Sequence, residues 1–189
     1  MSPATKRSRP SRPRGNLPMA KQLTADDAKQ SLTAHVESKG AEVFVKYGPH
    51  LGWGQLQHLL ADRALVRYPC AVVFDAEPLL PGEFAHPVQQ GERPEDGFTM
   101  FVHPRFMTQL DRVSALVLYQ LVAVNYGEFA SCDDAETFGA AALGLTRDEY
   151  YGILCDCADQ LGSGPGPGLI AEAPDSDDCG GGGCNCGGH

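Results

Sequence analysis

Eleven residues at the C-terminal end concentrate the chemistry that this sequence offers. Residues 179–189 comprise three Cys, six Gly, one Asn and one His, and Cys179, Cys184, Cys186 and His189 form the pattern C-x4-C-x-C-x2-H. Three thiolates and an imidazole make a tetrahedral set for Zn(II); thiolates also suit Cu(I), with an iron–sulfur cluster ranked behind both. The intervening glycines let the backbone turn tightly and bring its N–H groups close to sulfur. The paired C-x-x-C knuckles of a zinc ribbon are missing.

Magnitudes decide what kind of site this would be. Zinc binding in small finger peptides contributes about 10–16 kcal/mol, whereas ordering one residue costs roughly 1–2 kcal/mol, with glycine at the upper end. Ordering all eleven residues of 179–189 therefore offsets most of the metal's contribution. The tail is expected to bind metal labilely and not to staple a fold. Loose, tethered ligands suit handling, storage or delivery, with a protein partner that gives or receives the ion. Residues 163–178, read as a flexible coil, span about 20–24 Å, against a radius of gyration of about 14 Å for a domain of this size. The tail then reaches its own domain or a docked partner. Three readings compete: a solvated tail without metal, a redox pair of Cys184 and Cys186, and a segment modified after translation, like the Gly-Cys-rich core peptides of ribosomally made products.

A second group is Glu83, His86, Glu92, Glu95, Asp96 and His103, gathered in residues 77–103. Carboxylates and imidazoles of this kind build open metal sites for hydrolysis, which makes a metal-dependent enzyme the alternative function. No H-E-x-x-H spacing supports it, and acids near His on a loop are usually solvated. A nucleophile elbow of the G-x-S-x-G type and a GxxxxGK[ST] phosphate loop are both missing. His35, His50 and His58 have no evident partners. Cys70 falls in a strand and is expected in the core. Cys155 and Cys157, about 200° apart on a helix, are expected to be small buried hydrophobes. Cys132 stands at a helix start, where the dipole favours a thiolate, unless Ser131 or Cys132 is simply the cap.

Charge separates the chain into parts. The 189 residues carry 15 basic and 24 acidic side chains, net −9, but residues 1–21 hold six of the basic residues and no acid. The remainder, with nine basic against 24 acidic side chains, is at −15 and repels phosphates, so nucleic acid is not the expected partner of the folded part. Residues 1–21 contain Pro3, Pro10, Pro13 and Pro18 and are expected to be a disordered basic arm. Competing readings are an organelle transit peptide and a translation start at Met19. No run of about 18 apolar residues exists, which excludes a membrane-spanning helix, and the basic start lacks the apolar segment of a secretory signal. Seven cysteines, an odd number, argue against a disulfide framework. The expected location is the cytoplasm.

Residues 22–161 must position whatever functions, and they read as a single globular domain. Thr24-Ala25-Asp26-Asp27 is a helix start with acids in the first turn; an apolar side through Leu32, Val36 and Val43 reaches Tyr47, with Gly40 a candidate break and Gly48-Pro49 the end. Trp53, Leu56, Leu59, Leu60 and Ala64 lie on one helical stripe. Residues 66–75 and 98–103 are β-formers, separated by a long loop, 77–97, with four prolines. Residues 111–126 predict a helix that is apolar all round, as at the centre of a domain. Capping boxes at Ser131 and Thr146 start helices over 132–143 and 147–161. The fold class is α+β, predominantly helical, with about five helices, a small antiparallel β pair and disordered ends. A Gly/Pro-rich and acidic linker, 162–178, leads to the tail at 179–189.

Overall fold

The computed structural model describes residues 24–162. Helix α1 (Ala25–Tyr47) is followed by α2 (Trp53–Ala61), strands β1 (Cys70–Phe74), β2 (Ala85–Gln89) and β3 (Phe98–Val102), and helices α3 (Leu110–Tyr126), α4 (Cys132–Leu143) and α5 (Arg147–Gln160). The mostly helical α+β class and the five helices are as the sequence implies. The basic arm, nearly all of the linker and the Cys/Gly tail lie outside the described residues.

Three helices begin on capping boxes, two of them read as such from the sequence and the third at Thr24, read there as an N-cap. Thr24 Oγ1 accepts from Asp27 N at 3.1 Å while Asp27 returns an acceptor to Thr24 N at 3.0 Å, and Ser131–Asp134 and Thr146–Glu149 repeat the exchange. Each box satisfies N–H groups that a helix start leaves without partners. Asp134 also accepts from Thr33 Oγ1 on α1 at 2.7 Å. Burial pushes its carboxyl up, but hydrogen bonds from Ser131 and Thr33 outweigh this and hold it below the usual carboxylate range.

The sheet corrects two expectations. The antiparallel pair foreseen from residues 66–75 and 98–103 is a three-stranded mixed sheet of order β1-β3-β2, in which β1 and β3 run parallel. The reason is β2, which lies inside the segment expected to be a loop. The chain reverses before β2 and again before β3, and two reversals restore the direction of β1. β2 pairs antiparallel with β3, with Pro87 opposite Met100. As an edge strand it tolerates a proline that cannot donate to the ladder.

Helix α3 is buried at 12 of its 17 residues. It packs against α2, α4, α5 and the sheet, so it has no polar face to give to solvent. Polar side chains tie its surroundings together: Tyr150 Oη donates to Ala115 O at 2.7 Å, and Asn125 donates to Leu65 O and accepts from Arg67 N, at 3.0 and 2.9 Å. The second pair fixes the end of α3 to the segment that enters β1.

Gly40 does not break α1. It is buried against α4, where a Cβ would stand 2.6 Å from Phe138 O and 2.7 Å from the Ala141 Cβ. Only a hydrogen in place of Cβ lets the two helices approach this closely. Helix propensity alone favours Gly40→Ala by about 1 kcal/mol, but the clash is with backbone and another Cβ, which cannot swing aside. The substitution is expected to destabilise the domain by about 1–3 kcal/mol in denaturant titration; an unchanged or higher stability would show that the α1–α4 contact is not so constrained.

Candidate functional site

The four cysteines of the described residues are free thiols in contrasting surroundings. Cys70 is half-buried in β1, and burial pushes its thiol up to about 11, against the pull of Arg63 and of a backbone hydrogen bond at Met100. At that value only about one molecule in 10⁴ carries the thiolate at neutral pH. Cys157 lies wholly inside the core on α5. Burial raises its thiol too, opposed by Arg112, whose Nη1 is 3.7 Å from the sulfur. Cys155 is half-buried, and Cys132 is exposed at the first position of α4, where Ser131 supplies the cap. Beside Cys132 stands the buried phenol of Tyr119. Burial above all, with the charge and hydrogen bond of Cys132, keeps that phenol neutral far above the usual tyrosine range.

The acids and histidines of residues 77–103 do not converge. Glu83 Oε1 meets His86 Nδ1 at 3.0 Å while its other oxygen accepts from Leu80 N at 2.9 Å. The hydrogen bond to Glu83 raises the imidazole above its ordinary value, against the opposing effect of burial. Asp96 turns inward on its own loop and accepts from Arg93 N at 3.1 Å. His103 Nδ1 accepts from Arg105 N at 3.2 Å, and its ring meets Phe106 edge-on. Glu92 and Glu95 are exposed. Among the described residues no three of His, Cys, Asp and Glu come together as a set able to hold a metal. Of the six side chains read as a possible hydrolytic centre, the structure joins two, Glu83 and His86. Of the other histidines, His35 packs edge-on against Tyr126, while His50 and His58 are exposed.

Cys179, Cys184, Cys186 and His189 lie outside the described residues.

One feature of the domain has no counterpart in the sequence reading. A cavity of about 460 Å³ opens between the β2–β3 edge and the C-terminal end of α3, with Tyr68, Phe98, Tyr126 and Phe129 among its walls. The volume is that of a small-molecule site. Its residues come from four separate segments, none of them periodic, so no local pattern announces it. The nearest signal is Gly127, whose φ of +60° makes the turn that carries the chain from α3 to Phe129.

Comparison with known proteins adds no assignment: no family model, curated protein or solved structure matches this chain.

The thiol environments make a direct prediction. With iodoacetamide under native conditions and peptide mapping by mass spectrometry, Cys132 is expected to alkylate at least about a hundredfold faster than Cys70 and Cys157, which react at its rate only after unfolding. Labelling of Cys70 or Cys157 in the native state at the rate of Cys132 would contradict it.

Proposed function

We propose that this chain is a metal-handling protein of the cytoplasm, whose tail binds Zn(II) or Cu(I) through Cys179, Cys184, Cys186 and His189 and passes the ion to or from a protein partner. The observation that carries the reading is the spacing C-x4-C-x-C-x2-H within eleven residues, six of them glycine. The domain's sulfur chemistry supports it from the other side. Burial holds the Cys70 and Cys157 thiols protonated, and a metal ligand has to be the thiolate. Cys132 is exposed, but among the described residues no three potential ligands gather around a common point, so a complete soft donor set is offered by the glycine-spaced cysteines. Free thiols in the domain fit a reducing compartment.

A loosely held ion is exchanged by ligand substitution: an incoming thiolate or imidazole of the partner replaces one tail ligand at a time, so the metal is never released bare. A glycine beside each ligand, at 180, 183, 187 and 188, lets the tail rearrange as ligands are replaced. Protons compete with the metal for the same thiols, so affinity falls as the pH is lowered.

The test compares the full chain with a truncation after Asp178, both purified anaerobically and reconstituted with zinc. The full chain is expected to retain about one zinc per chain after desalting and the truncation close to none. Equal retention by the two forms would overturn the proposal.

A further inference from the structure

The cavity beside the end of α3 has the composition of a binding site with a defined ligand chemistry. Tyr68 and Phe98 pack with centroids 6.0 Å apart, and Phe129, on the opposite turn, is 87% exposed although it lines the cavity. A phenylalanine left this open at the mouth of an aromatic cleft has an apolar face for an occupant to cover. Arg67 lies over the Tyr68 ring, with its guanidinium carbon 5.2 Å from the centroid. Among the described residues its side chain makes no ion pair and no hydrogen bond. That is notable in a chain whose acids outnumber its basic residues by 24 to 15, because acidic partners are plentiful.

We infer that this cavity binds a small aromatic monoanion, an arenecarboxylate, with its ring between the packed Tyr68–Phe98 pair and Phe129 and its carboxylate on the Arg67 guanidinium. Stacking along Tyr68 leaves the planar fork free to receive a carboxylate in two parallel N–H···O bonds. Glu128 lines the same cavity, and its charge disfavours a second negative charge on the ligand, so a carboxylate is preferred to a phosphate monoester. His86 also borders the cavity and is held through Nδ1 by Glu83, which leaves Nε2 without a partner among the described residues. The inference rests on the folded domain and is independent of the tail.

The test is calorimetric or ligand-detected NMR titration of the full chain with 2-naphthoate, alongside the neutral 2-naphthalenemethanol and the dianionic 2-naphthyl phosphate. Saturable binding at one site is expected, with a dissociation constant between about 10 µM and 1 mM. The neutral and phosphate analogues are expected to bind at least about tenfold more weakly. Arg67→Gln should weaken naphthoate about tenfold or more while leaving naphthalenemethanol unchanged, and Phe129→Ala should weaken both. Both positions are exposed, so thermal melts of the two variants should match the parent. Absence of saturable naphthoate binding up to about 5 mM, equal affinity for the neutral analogue, or full affinity in Arg67→Gln would each overturn the inference.

Discussion

A helix with no polar face cannot be left against water, and the burial of α3 is the constraint on which the rest of the domain depends. Each buried Leu or Val on it is worth about 1.5–3 kcal/mol when fully removed from solvent, and its 12 buried residues point in every direction around the axis. Two helices alone could not enclose it. α2, α4, α5 and the sheet do so together, and α1 closes the layer outside α4 by way of Gly40. The hydrogen bonds that reach α3 from outside, Tyr150 to Ala115 and Asn125 to the 65–67 segment, hold surrounding elements in fixed orientation around a core that would otherwise accept several packings.

The wrapping also explains where the domain's chemistry is and is not. Cys157 and Tyr150 are inside because they belong to the shell around α3, and burial keeps their protons on. The enclosure ends where α3 ends. At Gly127 the chain turns away before it can cover the β2–β3 edge, and the unfilled space is the aromatic cavity. In the proposed division of labour the domain keeps the Cys70 and Cys157 thiols protonated and offers an apolar site, while the metal-binding sulfur is placed on a segment that needs no core.

Much of this was legible in the residues. Cap residues, helical stripes and, for α3, one long apolar run located the five helices, because these signals are local: Ser131 and Asp134, or Thr146 and Glu149, are three residues apart and meet within one turn. Burial of Cys157 followed from its place on an apolar stripe, whereas Cys70 and Cys155, expected in the core as well, are only half-buried. What failed was long-range. Ala85–Gln89 contains a proline and only one β-branched residue, so nothing local marked it as a strand, and without it the direction of β1 relative to β3 could not be derived. The cavity was invisible for the same reason, since Tyr68, Phe98 and Phe129 acquire their relation only through the sheet and α3. The scattered Glu and His of residues 77–103 were close in sequence yet remained apart in space, because Asp96 and His103 are engaged by the backbone of their own turns.

X-ray absorption at the zinc edge of the reconstituted full chain tests the central claim most directly, because it counts the ligands by element. The account predicts three sulfurs at about 2.3 Å and one nitrogen at about 2.0–2.1 Å. A shell of oxygen and nitrogen with no sulfur would contradict it and place the metal on carboxylates and imidazoles instead of the tail.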